Sequence, residues 1–463
     1  MDLHHSARMI GLALAATLLL PGLATSQLAD KPNVLFLFTD DQRADTIRAL
    51  GNDQIITPNL DRLARSGFTF RNAYCMGSNS GAVCMPSRTM MHSGRSLFRI
   101  KGTTAEDPHF GKAMKEAGYV TYHHSKKGNT PNALHKTFDH SRYLDNSVRK
   151  SGYPGKEAAD AAIDFLARFE GGNPFFMYLG FAGPHDPRIA NADDLARYDI
   201  DKIQIPANYL PLHPFNNGEM TIRDECLAPW PRSEAIIRKH LRDYYAVITH
   251  MDRQIGRVVE ALKNLGLYES TIIIFSSDHG LAVGSHGLMG KQSLYEHSMK
   301  APLIFSGPGI PKGASDAFVY LHDIFPTTVG LVGGKTPDGL DGISLADIID
   351  GRTEHVRTEI FTAYKDVMRA VRQGDWKLIR YPQVHRTQLF NLREDPDEIT
   401  DLADAQPSKV EAMMKLLAQQ QKLFGDPVPL TSETPEPAAI DADTLTQNRG
   451  KQRGRARLKR SKK

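Results

Sequence analysis

The sequence predicts an α/β protein: a large, mostly parallel sheet sandwiched by helices, with a small C-terminal α+β subdomain. Three observations carry this reading. Asn33–Phe38, Pro174–Leu179 and Thr271–Phe275 are continuous apolar runs without alternation, the pattern of strands buried on both faces. Amphipathic helical stretches separate them, so strands and helices alternate along the chain. Acids or a histidine follow each run: Asp40-Asp41, His185 and Asp278-His279. Functional groups in open α/β sheets gather beyond the carboxyl ends of strands, so these positions predict one shared site.

Taken in order, the chain opens on an export signal. His4, His5 and Arg8 precede the apolar run Met9–Leu20, Pro21-Gly22 break it, and Ala24-Thr25-Ser26 offers small residues for cleavage before Gln27. Residues 1–26 are therefore read as a signal peptide and the protein as secreted or periplasmic. The run is too short to span a bilayer comfortably, and no other stretch reads as a membrane span.

Asn33–Phe38 is the first buried strand. Thr57-Pro58-Asn59 starts a helix with Leu60, Leu63 and Ala64 on one face, and Gly67 stops it. Phe110–Ala117 reads as a helix, Tyr119–Tyr122 as a strand, and Ala158–Phe169 as a helix broken by Gly171-Gly172. A long amphipathic helix over Leu241–Leu265 precedes the strand Thr271–Phe275, and Pro302–Phe305 follows as another strand. These elements define a large N-terminal domain over residues 27–345. Beyond it, Val367–Arg372, Trp376–Tyr381 and Gln388–Leu392 are short strand candidates joined by turns such as Gln373-Gly374-Asp375. With a helix over Ser408–Leu423 they predict an antiparallel subdomain, residues 346–426.

Composition bounds the function. The chain has 463 residues, 41% hydrophobic and 24% charged, ordinary for a globular protein with a sizeable core. Its net charge of +4 is misleading: nine basic residues and no acid lie in Arg449–Lys463, which leaves the remainder near −5. With the Pro/Glu/Thr-rich run Pro427–Pro437, residues 427–463 read as a disordered basic tail. That tail is solvated or loosely attracted to acidic polysaccharide. It lacks interleaved aromatics, which argues against nucleic-acid binding. Of three cysteines, Cys75 and Cys226 either pair after export or stay as buried thiols.

Two adjacent acids at the end of a buried strand are costly without a neutralising charge. Asp40-Asp41 either cap a helix or face solvent, or they bind a hard cation that takes oxygen ligands. Asp278, after a second buried strand, adds a third acid to the same edge. The segment Cys84-Met85-Pro86-Ser87-Arg88, closed by Ser93-Gly94-Arg95, places a cysteine one helical turn before an arginine.

This segment resembles the signature of the type I sulfatases of the alkaline phosphatase superfamily. The resemblance runs from about Pro32 to Leu423, including Asp395-Pro396. It implies that a formylglycine-generating maturation enzyme oxidises Cys84 to formylglycine. The hydrate of that aldehyde attacks the sulfur of a sulfate ester, and its second hydroxyl later expels sulfate with C–O cleavage. It implies Ca²⁺, with Mg²⁺ as the alternative, bound by Asp40, Asp41, Asp278, His279 and the modified Cys84. Asp278-His279 is similar to the variant in iduronate-2-sulfatase and related carbohydrate sulfatases. Arg88 would orient the formylglycine with support from Arg95. Lys126 and Lys291 would contact the sulfate, Lys127 being the alternative to Lys126. His185, in Pro184-His185-Asp186-Pro187, would protonate the leaving sugar oxygen, and Arg188 would contact the substrate. Two departures stand out: Ser125 replaces a glycine, and Gly128 stands where the family carries a histidine. His123, His124 or His135 are candidates to replace that histidine.

The expected activity is sulfuric ester hydrolysis on a sulfated carbohydrate. Two rivals remain: a phosphonate or phosphate ester hydrolase of the same fold, and a carbohydrate-binding protein with an unmatured Cys84.

Overall fold

In the computed structural model, residues 31–449 are described, apart from 102, 103, 105, 129, 130, 146, 148, 149 and 448. The export segment 1–26 and the end of the basic tail lie outside the described residues. The strands are β1 (Asn33–Asp40), β2 (Phe68–Tyr74), β3 (Gly77–Ser78), β4 (Val120–Lys126), β5 (His140–Leu144), β6 (Phe175–Pro184) and β7 (Thr271–Ser277). They continue as β8 (Lys300–Ala301), β9 (Leu303–Ser306), β10 (Gly313–Tyr320), β11 (Glu359–Tyr364), β12 (Met368–Gln373), β13 (Trp376–Tyr381) and β14 (Arg386–Asn391).

The large sheet runs β10-β2-β9-β7-β1-β6-β4-β5, with β8 pairing β2. Its centre is parallel: β1 pairs β7 and β6, and β6 pairs β4. β9 runs antiparallel to both β7 and β2, which makes the sheet mixed. The three continuous apolar runs are β1, β6 and β7, buried along their whole length.

Alternation along each strand divides the core. Val34, Phe36, Phe38, Tyr178, Ile272 and Ile274 face one layer, and Leu35, Leu37, Met177, Leu179, Ile273 and Phe275 the other. The helices Cys84–Ser93, Phe110–Glu116 and Ile324–Leu331 cover the first face. The helices Pro58–Ser66, Lys156–Ala167 and Glu234–Asn264 cover the second. Each fully buried Ile, Leu or Phe contributes about 1.5–3 kcal/mol, so this sandwich fixes the strand ends firmly. The N-terminus of helix Pro58–Ser66 is capped from the long helix: Asn59 and Leu60 donate their N–H groups to Asp252 at 3.1 and 2.7 Å.

The small sheet runs β14-β13-β12-β11-β3 and is backed by helix Pro407–Phe424. Its fifth strand, β3, comes from the N-terminal half and lies parallel to β11. This ties the C-terminal sheet to the chain that leads into Cys84. Gly77 has φ +103°, and a Cβ there would lie 2.0 Å from the Ala363 carbonyl oxygen. Gly77→Ala is therefore expected to lower stability by about 1–3 kcal/mol and to lower activity with it, read by thermal unfolding and turnover. An unchanged melting temperature would contradict this coupling.

The end of the chain departs from expectation. Residues 427–447, read as disordered from composition, lie along the body. Asn216 and Glu436 donate N–H groups to Ala438 O (2.8 Å) and Gln383 O (2.7 Å). Arg380 donates to Leu430 O at 2.7 Å, and Leu445 is buried. A few spaced apolar side chains and backbone bonds order the segment, a signal that average composition dilutes. No helix of the described residues is long and apolar enough to cross a membrane.

Candidate active site

The carboxyl ends of β7, β1, β6 and β4 are neighbours in the parallel centre of the sheet. They deliver Asp278, Asp40-Asp41, His185 and Lys126 to one edge. Asp41 adopts φ 70°, a left-handed conformation that Asp tolerates better than most residues, and its N–H donates to Asp278 Oδ1 at 2.9 Å. The chain thus bends at the strand end and turns both acids of the pair into the site.

Cys84 is the first residue of helix Cys84–Ser93, whose positive end faces the acids. Ser87 Oγ donates to Asp278 O at 2.6 Å and pins the first turn. One turn on, the fully buried Arg88 donates to Asp278 Oδ2 (3.1 Å), Tyr178 OH (3.1 Å) and Thr39 O (3.1 Å). Its Nη2 lies 4.0 Å from Asp40 Oδ2. Arg88 thereby joins the helix to β1, β6 and β7. Arg95 pairs with Asp107 at 2.5 Å, beyond the far end of a helix about 15 Å long, and so stands away from Cys84.

Three groups converge on the Cys84 sulfur. Lys291 Nζ lies at 3.1 Å, His279 Nε2 at 3.3 Å and Asp41 Oδ1 at 3.5 Å; Lys291 also donates to Asp41 Oδ1 at 2.7 Å. Lys126 Nζ donates to Asp40 Oδ2 at 2.9 Å, whereas Lys127 turns toward the Tyr143 ring. His185 Nε2 is 4.0 Å from Asp41 Oδ2, with Nδ1 held by the Asp186 carbonyl at 2.7 Å. Cys84, Lys126, His185 and Lys291 line one cavity of about 480 Å³ with Met85, Gly128, Arg223, Asp224 and Gln292.

Three carboxylates face three cations. Burial alone would raise the Asp40 carboxyl, but Lys126, His185, Arg88 and Lys291 outweigh it and hold it well below the ordinary range. Burial is likewise overcome at Asp41, chiefly by His185, Lys291 and His279, so this carboxyl is also lowered. Burial, with Asp40 and Asp41 beside it, raises Asp278. The Cys84 thiol is raised well above its ordinary value by burial and by Asp40, Asp41 and Asp278 against Lys291, which disfavours a thiolate. Burial lowers His185 against the pull of Asp41.

The donor set could hold a metal ion. Ligand atoms of Asp41, Cys84, Asp278 and His279 lie within 4.8 Å of one another, as do those of Asp40, Asp41, Cys84 and His185. Such spacing lets these groups share one metal ion, to which Asp40, Asp41 and Asp278 would offer hard oxygen ligands. His279 Nδ1 donates to Gly280 O at 2.8 Å, which turns Nε2 toward Asp41 and Cys84.

The structure does not bring every predicted residue to the site. Arg188 lies outside the cavity lining. Its guanidinium sits 5.5 Å from the Tyr244 ring centre and 3.3 Å from His240 Nδ1. It backs Tyr244, whose OH donates to Asp41 O at 2.6 Å. None of the histidines on and after β4 takes the place vacated at Gly128. His123 stacks on Tyr178, His124 faces Glu157, and His135 bonds Tyr143 OH at 2.7 Å. The Cys84 side chain is met by His279 and Lys291 instead. Tyr178, Ser87, Arg223, Asp224 and Gln292 escaped sequence reasoning; the last three sit in loops without periodicity. Cys75, Cys84 and Cys226 are all buried, and none is in a disulfide.

Comparison with known proteins matches residues 32–334 to the family described as Sulfatase. Residues 284–423 match the family described as N-sulphoglucosamine sulphohydrolase, C-terminal. An arylsulfatase of Clostridium perfringens is 26% identical, covering 84% of this chain and 94% of its own. An N-acetylglucosamine-6-O-sulfatase of Bacteroides thetaiotaomicron is 24% identical over 90% of this chain and 93% of its own. A solved structure of a protein in complex with its substrate D-glucosamine-2-N,6-O-disulfate superposes with TM-score 0.73 at 22% identity, covering 87% of this chain and all of the other. The family match spans the strands and loops that carry Asp40, Cys84, His185, Asp278 and Lys291, and the chain belongs to the sulfatase family.

Proposed function

We propose that this sulfatase removes sulfate from a sulfated carbohydrate, with Cys84 converted to formylglycine and a hard divalent cation bound beside it. The observation that carries the reading is the convergence of Asp41, His279 and Lys291 on Cys84, at the floor of a cavity that Lys126 and His185 also line. The N-acetylglucosamine-6-O-sulfatase relative supports a sugar sulfate as substrate. The export reading of residues 1–26 supports a secreted or periplasmic enzyme acting on extracellular polysaccharide.

Asp40, Asp41, Asp278 and His279 would hold Ca²⁺, or Mg²⁺, which when bound polarises a sulfate oxygen as a Lewis acid. Formylglycine at position 84 supplies a hydrated aldehyde as nucleophile, where the buried thiol supplies a poor one. The chain's own groups do the rest. Ser87 and Arg88 lock the first and second turns of the helix to Asp278, so residue 84 keeps one position. Lys126 and Lys291 rest on Asp40 and Asp41 at the cavity wall. With the acids otherwise neutralised, both ammonium groups turn to the sulfate oxygens, where transition-state charge develops. Cys84 is only 6% exposed, so a maturation enzyme must reach it before the chain has folded.

His185 is the proton donor. The Asp186 carbonyl fixes Nδ1, so Nε2 addresses the cavity. An entering sulfate ester brings negative charge that favours the imidazolium, which then protonates the departing sugar oxygen. His185→Ala is expected to lower kcat on a sugar sulfate by about 10²–10⁴-fold and on 4-nitrophenyl sulfate far less, because nitrophenolate leaves without a proton. Equal losses on both substrates would contradict this role. Sulfate release from a panel of defined sulfated sugars tests the substrate class; turnover of aryl sulfate with no turnover of any sugar sulfate would overturn it.

A further inference from the structure

Lys291 sits on a glycine-rich loop, and glycine-rich loops do not hold a lysine still by themselves. A second segment, residues 224–232, grips this loop on both sides of Lys291. Glu225, 3% exposed, accepts the N–H of Gly290 at 2.7 Å through Oε1 and that of Met289 at 2.9 Å through Oε2. Asp224 accepts from the side-chain amide of Gln292 at 2.8 Å. Arg232, fully buried, donates to Glu225 Oε2 at 2.6 Å and to Glu225 O at 3.0 Å. It also donates to the carbonyl of Gly287. The loop is thus held at residues 287, 289, 290 and 292, and Lys291 is the residue left to reach inward to Asp41 and Cys84.

A carboxylate is costly to bury unless its acceptor sites are filled. Both oxygens of Glu225 are committed to this one loop and to the arginine that braces it. The contact is tight as well as polar. A Cβ at Gly290 would lie 2.9 Å from Glu225 Oε1 and 2.9 Å from Asp224 Cβ.

We propose that Glu225, braced by Arg232 and joined by Asp224 on the other side of the loop, is a positioning residue that fixes the Lys291 ammonium at the sulfate. The proposal rests on the reading of Lys291 as a sulfate contact. The physical basis is that a lysine on a four-carbon stem contributes to catalysis only if its backbone is fixed, and a displacement of about 1 Å can cost about 10²-fold in rate.

A double-mutant cycle tests it on the full-length matured protein: Glu225→Gln, Lys291→Ala and the pair, with kcat, KM and melting temperature measured on an aryl sulfate. Glu225→Gln places an amide N–H against the loop's own N–H groups. It is expected to lower kcat/KM about 10- to 100-fold, mainly through kcat. In the Lys291→Ala background the same change is expected to cost less than about 3-fold, because the lysine it positions is gone. If Glu225→Gln does not fold, Gly290→Ala strains the same seam from the loop side and is expected to show the same coupling. Equal factors in the two backgrounds would overturn the clamp while leaving Lys291 its role. An unchanged Lys291→Ala would overturn the reading of Lys291 and the clamp with it.

Discussion

Replacing Cys84 by alanine is expected to lower kcat/KM for sulfate esters by at least about four orders of magnitude. Every reacting arrangement in the cavity is built around this side chain. Lys291, His279 and Asp41 lie 3.1–3.5 Å from its sulfur, and it opens a helix whose second turn is locked by Arg88. The substitution removes one buried atom, so the fold should survive at a cost of about 1 kcal/mol. Sulfate release and thermal unfolding, measured on the same preparation, separate the two effects. A folded Cys84→Ala retaining more than about 1% of the activity would exclude residue 84 as the nucleophile.

Removal of divalent cations should have the second-largest effect. Asp40, Asp41 and Asp278 are buried within one cluster, and three cations from the chain balance them only by drawing Lys126 and Lys291 onto Asp40 and Asp41. Dialysis against a chelator is therefore expected to lower kcat/KM by at least about 100-fold, with recovery on adding Ca²⁺. Binding should also stabilise the fold, by about 2.7 kcal/mol at a concentration one hundred times Kd. Turnover and melting temperature before and after readdition check both statements. Full activity in the chelated protein, with no thermal shift on readdition, would contradict a bound cation in this cluster.

The centre of the fold was legible because β1, β6 and β7 are buried on both faces and therefore carry uninterrupted apolar sequence. The polar residues that follow such runs lie on one edge whenever the strands are parallel neighbours, which is why Asp40, His185 and Asp278 could be grouped. The edges of the sheet were harder to read. β5 is exposed along four of its five residues, and β10 alternates only in part, so neither stands out from loop sequence. β9 looks like its parallel neighbours, and nothing local reveals that it runs antiparallel to β7.

The active site divides the same way. Residues within motifs could be named, but their partners across the sheet could not. Tyr178 meets Arg88 because β6 lies beside β1, a tertiary fact. Arg188 stands beside a motif and was drawn into the site on that ground, but stacking on Tyr244 turns it behind the acids. The segment 203–232 has no periodicity, yet it supplies Arg223 and Asp224 to the cavity wall and Glu225 to the loop behind it. The role of His279 beside Cys84 likewise depends on β7 and the helix Cys84–Ser93 meeting in space.

The most direct test is the mass of the tryptic peptide Asn72–Arg88 from the protein purified from its source organism. Conversion of the Cys84 side chain to formylglycine makes this peptide lighter by about 18 Da, and fragmentation places the change at residue 84 rather than Cys75. The account predicts that the lighter peptide is present and that its fraction rises in proportion to specific activity on sulfate esters across preparations. A fully active preparation in which Cys84 is entirely unmodified would contradict it.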